Sequence, residues 1–308
     1  MEIFFYLSII VVGLIIYYFN EEPVKGIKVA DIIYYPIRHC AGIHLFEAEF
    51  VENGLKRDGE WAIISPKKTI IDQLDDPRLI KLQPRFEFGL DGEPTNITLT
   101  YAGFPDLKVN FHCNHSKEFD FEGFNIKGKG IEAGEEANRW LEMVFERDYR
   151  LMKICEKWKT GDDEKNTEEN FDKHALYLAE DNALIVGEAS FKAILNEIPG
   201  FREDDVSLMG FRPNIIVKNV LEFEEDLWIE FKIGEIKLRT LKMCEVGKAC
   251  IINPRTLDFN KHNDPLNTLR RIHSMRLRAY FGILAQELNN GKIHVKDTVK
   301  VVSQKSYD

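Results

Sequence analysis

Gly210-Phe-Arg-Pro-Asn-Ile-Ile-Val217 sets an arginine and an asparagine on either side of a proline, directly before an apolar run. A guanidinium presents two parallel N–H donors to a phosphate or carboxylate, and a neighbouring amide can orient the bound group. Arg212 and Asn214 are therefore candidates for an anion site, against the plainer reading of a loop tied by a salt bridge. The five cysteines, Cys40, Cys113, Cys155, Cys244 and Cys250, include no CxxC pair, and only the last two are near neighbours. They are too few and too scattered for a disulfide framework. The histidines show no spacing that suggests a metal pair. Walker, GxGxxG, HExxH and GxSxG patterns are absent, which removes the commonest nucleotide, zinc-protease and serine-hydrolase chemistries. The acidic stretch 162–169 lacks the spacing and central glycine of an EF-hand loop and reads as solvated chain.

Short strands broken by Gly, Pro, Asp and Asn must position these residues. Ile27 to Tyr35, Trp61 to Ser65, Ile97 to Tyr101 and Leu107 to Cys113 read as strands. Ala137, Trp140, Leu141, Val144 and Phe145 recur at helical spacing and predict one buried helical face. Phe191, Ile194, Leu195 and Ile198 predict a second helix, stopped by Pro199-Gly200. Ile215 to Val220, Trp228 to Ile233 and Ile236 to Leu241 read as strands, Leu266 to Arg278 as a helix, and Lys292 to Val302 as a last strand. The class is α+β with mainly antiparallel sheet.

Acidic residues outnumber basic ones, 51 to 41, which argues against a duplex-binding surface. Ile3 to Phe19 carries no charge over 17 residues. As a helix it would span about 26 Å, close to the hydrocarbon thickness of a bilayer. Glu2 stands where a signal peptide would carry basic residues, so an uncleaved transmembrane anchor over 1–22 is expected.

The collinear set of segments resembles the mitochondrial amidoxime reducing component within the MOSC-domain family. Besides GFRPNIIV, it includes Gly187-Glu-Ala-Ser-Phe191 and Trp228 followed by Ile233-Gly-Glu235. Tyr35-Pro-Ile-Arg-His-Cys-Ala-Gly42 resembles the family's YPVKSCKG, and Asp58 and Trp61 match the outer positions of DRFW. Asp76-Pro-Arg-Leu79, Ala133-Gly-Glu135 with Trp140, Pro265-Leu266, Phe281-Gly282 and Gly291 to Asp297 match further elements. The resemblance implies two β-rich lobes, a MOSC N-terminal β-barrel domain over 26–148 and a MOSC domain over 149–304, behind an N-terminal transmembrane helix. It also implies a molybdenum cofactor (molybdopterin) held between the lobes, with a cysteine thiolate on the metal. Arg38, His39, Arg212 and Asn214 occupy the cofactor-binding positions. The implied activity is reduction of N-hydroxylated compounds, fed by a b-type cytochrome and its flavoprotein reductase at the mitochondrial outer membrane, facing the cytosol.

This chain departs from the family's ligand motif, CxRCxxTTVDPxTG. A gapless placement puts Cys244 on the first cysteine, Val246 on the arginine and Gly247 on the metal ligand. Cys250 reaches the ligand position only through a compensated three-residue shift. The family's Lys-Ser pair becomes Arg38-His39, the DRFW arginine becomes Gly59, the serine of SEAS becomes Gly187, and Asp72-Gln-Leu-Asp75 replaces the TxRQ arginine. The expectations are thus an amidoxime-reductase-like protein with a degraded metal motif, or a catalytically inactive paralog acting as a binding or scaffold protein in the membrane.

Overall fold

The computed structural model describes residues 26–52, 54–113, 118–123, 126–159, 182–200, 205–276 and 278–306. The expected anchor over 1–22 and the acidic stretch 162–169 lie outside them. Among the described residues no helix is long and apolar enough to cross a membrane.

The chain opens with β1 (Lys28–Tyr34), β2 (Ile43–Leu45), β3 (Glu47–Val51), β4 (Gly54–Leu55) and β5 (Trp61–Ile64). Next come β6 (Gln83–Phe88), β7 (Pro94–Thr100), β8 (Leu107–Asn110), β9 (Glu118–Gly123) and β10 (Ile126–Glu132). Helix α1 (Glu135–Phe145) and β11 (Arg150–Lys159) follow. The second half runs β12 (Ala183–Gly187), α2 (Glu188–Glu197), β13 (Ile215–Lys218), β14 (Trp228–Ile233) and β15 (Ile236–Glu245). It closes with α3 (Leu266–Ile272), β16 (Ser274–Met275), β17 (Arg278–Glu287), β18 (Gly291–His294) and β19 (Val299–Gln304).

The largest sheet follows the path β19-β14-β15-β17-β12-β13-β1-β2. Its pairs are antiparallel except β12 with β13. Every residue of β12 is buried, the pattern of a strand covered on both faces. Ala183 and Ile185 enter a core with Phe50, Trp228 and Phe231. Leu184 and Val186 face the other way, into a core with Leu266, Leu269 and Phe281 beneath α2 and α3.

The N-terminal lobe carries the sheets β5-β11-β10-β9 and β6-β7-β8. Neither returns to its first strand, so the expected barrel is open among the described residues. Packing joins the two sheets: α1 buries Ala137, Trp140, Leu141, Val144 and Phe145 against Trp61, Leu99 and Val109. Each large apolar side chain so buried contributes roughly 1.5–3 kcal/mol. The Trp140 indole N–H also donates to the Pro105 carbonyl at 2.6 Å.

The lobes interleave. β1 pairs with β13, β18 pairs with β3, and β11 pairs with β5 and β10. Two elements differ from the sequence reading. The helix expected over 266–278 ends at Ile272, because Ser274–Met275 turns back to pair with Arg278 and Ala279. The strand expected over 292–302 is two strands, broken where Lys296 takes a left-handed backbone (φ 75°) and Asp297 Oδ2 accepts the His294 N–H.

Candidate functional site at the lobe junction

Two turns meet where β1 leaves the large sheet. The first, Tyr35 to Arg38, is zipped against 59–61: Gly59 N donates to the Tyr35 carbonyl, Trp61 N to Pro36, and Arg38 N to Trp61. The second is the 3-10 turn Leu208–Phe211, whose exit residue Arg212 is left-handed (φ 58°). Pro213 and Asn214 then lead into β13, and the Tyr35 hydroxyl donates to the Pro213 carbonyl at 3.2 Å.

Asn214 is the cross-lobe tie. Its backbone N–H donates to the Leu184 carbonyl and its carbonyl accepts from Ile33. Its Nδ2 donates to the Ile33 carbonyl and to Asp58 Oδ2, each at 3.2 Å, while Oδ1 accepts the Leu184 N–H at 3.0 Å. The amide is saturated by the fold. Asp58 Oδ1 accepts the Tyr35 N–H through a short bond. Asp58, quoted from the sequence only as a match to an outer motif position, is thus the central carboxyl of the junction.

Both arginines border it. Arg38 is buried and its Nε donates to the Gly59 carbonyl at 3.2 Å. Arg212 keeps part of its surface accessible, donates through one terminal nitrogen to the Cys40 carbonyl at 2.7 Å, and lies over the Tyr35 ring at 3.9 Å. Burial raises the Asp58 carboxyl above its ordinary range, although the Tyr35 N–H, Arg212, Arg38 and Asn214 all favour the carboxylate. Burial, reinforced by Arg212 and then Arg38, draws His39 down to about 3, so its imidazole is neutral. The positive charge at the Arg38-His39 pair therefore belongs to Arg38 alone. The structure brings Arg38, His39, Arg212 and Asn214 to one junction, with Asp58 and Tyr35 between them.

The departures from the family pattern acquire physical reasons. Gly59 is left-handed (φ 64°), and a Cβ there would sit 3.2 Å from the Arg38 guanidinium. A Cβ on Gly187 would lie 2.8 Å from Glu225 Oε2 and 2.9 Å from Ser190 Oγ. Glu225 fills that seat: it accepts the Gly187 N–H at 2.9 Å and the Ser190 hydroxyl at 2.8 Å. Asp72 Oδ1 accepts the Leu74 and Asp75 N–H groups of its own turn, while Gln73 Nε2 donates to the His39 carbonyl at 2.8 Å.

Cysteine ligation of molybdenum needs a thiolate facing the junction. Cys250 instead sits in the 3-10 turn Lys248–Ile251, packed in the core with Ile251, Leu269 and Phe281. Burial pushes its thiol up to about 12, and does the same to Cys244 and Cys40. Gly247 is exposed at the start of that turn and brings no donor atom. The side chains expected to hold a cofactor phosphate are engaged as well: Arg38 by Gly59, Arg212 by Cys40, and Asn214 by Ile33 and Leu184. The donor set does not fit a cysteine-ligated molybdenum cofactor.

Residues 26–148 match the model of the MOSC N-terminal beta barrel domain and residues 172–300 that of the MOSC domain. Mitochondrial amidoxime-reducing component 1 of Mus musculus is 26% identical over 306 residues, covering 90% of this chain and 82% of the relative. Mitochondrial amidoxime reducing component 2 of Homo sapiens is 26% identical over 289 residues, covering 88% and 82%. Component 1 of Danio rerio is 23% identical over 273 residues, covering 85% and 80%. Matched in both domains, in sequence order and over most of its length, the chain belongs to the MOSC-domain family as a divergent member related to the amidoxime-reducing components.

Proposed function

We propose that this chain is a membrane-anchored MOSC-domain protein built on the amidoxime-reducing scaffold, in which cysteine ligation of the metal has been lost. The observation that carries the reading is where the sulfur lies: Cys250 is packed in the core with Ile251, Leu269 and Phe281, and Gly247, which has no side chain to ligate with, stands at the expected ligand position. Residues 3–19 hold the protein in a membrane, the mitochondrial outer membrane in this reading, with the two lobes facing the cytosol. Electron delivery by a b-type cytochrome and its flavoprotein reductase has no cysteine-bound molybdenum to reach. N-hydroxylated compounds are turned over no faster than by cofactor-free protein.

The test is molybdenum and pterin content in full-length protein made by a host that synthesises the cofactor, alongside Gly247→Cys. Both proteins should carry far less than one metal per chain, since a restored cysteine leaves Arg38, Arg212 and Asn214 tied to backbone groups. Near-unit molybdenum in the unmodified protein, lost in Cys250→Ala, overturns the reading and restores a molybdenum reductase.

A further inference from the structure

One face of the large sheet is covered over only part of its width. Helix α2 packs over β12 and β13 and α3 over β17, so no described helix covers the same side of β14, β15 and β19. On that side the cross-strand register places Lys300 opposite Lys232, and Lys232 opposite Lys237. Like charges directly opposite one another oppose sheet formation. None of the three has an ion-pair partner among the described residues, while Glu230 and Arg239 of the same patch pair with each other at 2.7 Å. A row of three lysines in a chain with ten more acidic than basic residues calls for a negative partner. Beside it Ile229, Leu241 and Val302 are exposed, at 39%, 38% and 55%.

The ladder also lies beside the root of the expected anchor. The Ile27 carbonyl accepts the Val299 N–H, one residue before Lys300. Only the six residues from Asn20 to Lys25 separate the uncharged run from the described body. Even fully extended they span at most about 22 Å. We infer that the outer face of β14, β15 and β19 docks on an anionic bilayer surface, with the lysine row at the headgroups and Val302, Ile229 and Leu241 dipping beside it. The inference rests on the reading of 3–19 as an anchor for its choice of a lipid rather than a protein partner. Basic side chains beside exposed apolar ones suit a lipid headgroup layer, where each lysine strengthens attachment about fivefold.

The experiment uses the full chain in phosphatidylcholine vesicles with and without phosphatidylserine. An environment-sensitive fluorophore on Val302→Cys, in a Cys155→Ser background, is quenched by lipid carrying a doxyl group. Quenching should appear with phosphatidylserine and fade as salt is raised. In Lys232→Gln/Lys237→Gln/Lys300→Gln the docked-to-undocked ratio should fall about a hundredfold. The salt series uses the natural lysines, so the test survives misfolding of the triple variant. Alkaline carbonate washing reports on the anchor separately. A chain that stays with the vesicles but is quenched equally in both lipids, at every salt concentration, overturns docking of the lysines on an anionic surface. Quenching before the wash followed by release supports docking and removes the anchor. Release with no quenching overturns both.

Discussion

Gly59 and Gly247 both stand where the family resemblance leads one to expect a functional side chain, yet they answer to different constraints. At Gly59 the left-handed backbone strains any side chain, and the Arg38 guanidinium 3.2 Å from a would-be Cβ must give way to admit one. Gly59→Arg should therefore destabilise the protein by about 1–3 kcal/mol through backbone strain and repacking of Arg38. Gly247 has φ −85° and nothing within 4 Å of its Cβ position. Gly247→Cys should shift stability by no more than about 0.5 kcal/mol, the usual range for an exposed substitution. Urea midpoints of the two variants check the contrast; equal losses would mean that Gly59 is not held by Arg38. The sequence made Arg212 and Asn214 legible because arginine and asparagine around a proline, ahead of an apolar run, are an unusual combination. It did not make Asp58 legible. The carboxylate becomes central only when β1 and β13 pair and bring Asn214 onto it, which no local pattern encodes.

At the scale of elements, the junction of β12 and α2 with the turn before β14 is closed by a buried carboxyl. Burial raises Glu225 from its ordinary 4.5 to about 7, against the favourable Gly187 N–H and Ser190 hydroxyl. A carboxyl with a raised folded value binds its proton more tightly in the native state than in the unfolded chain. Its stabilising contribution is therefore complete below pH 4.5 and is lost as pH rises to about 7, by at most about 3 kcal/mol. His273, held above its ordinary range by Asp226 and the Tyr280 carbonyl despite burial, adds a loss of the same sign. Glu225→Gln should flatten the decline in unfolding free energy between pH 5 and 7 while leaving the histidine's share. Parallel pH profiles for the two proteins would show that Glu225 does not titrate there. Helices α1 and α2 were legible from apolar spacing, since a single buried face writes itself into the sequence at 3.6-residue intervals. The end of α3 was not, because Arg270 and Arg271 continue a helical pattern that the β16–β17 pairing overrides.

The interleaving of the two lobes governs the behaviour of the whole molecule. Cut at residue 148, the N-terminal part would lose β13 from beside β1, β18 from beside β3, and β11 from between β5 and β10. Residues 26–148 alone should thus fail to give dispersed amide resonances, whereas the full chain should unfold in one transition. Trp61 and Trp140 report on the first lobe and Trp228 on the second. Fluorescence and circular dichroism midpoints that separate by lobe would show that the interleaved strands do not couple them. Two β-rich segments could be read from turn spacing and motif order, but exchanged strands could not, because pairing partners far apart in sequence leave no periodic trace. The same exchange sets the order of events during synthesis. β1 and β3 leave the ribosome early, with apolar residues such as Ile32 and Phe50 that end fully buried. Their partners come much later, and β18 is next to last of the described strands. For most of translation the nascent chain therefore presents open strand edges, the kind of surface that aggregates when unattended. Production of this protein should depend more on chaperones that shield an unfinished chain than on the stability of the finished one.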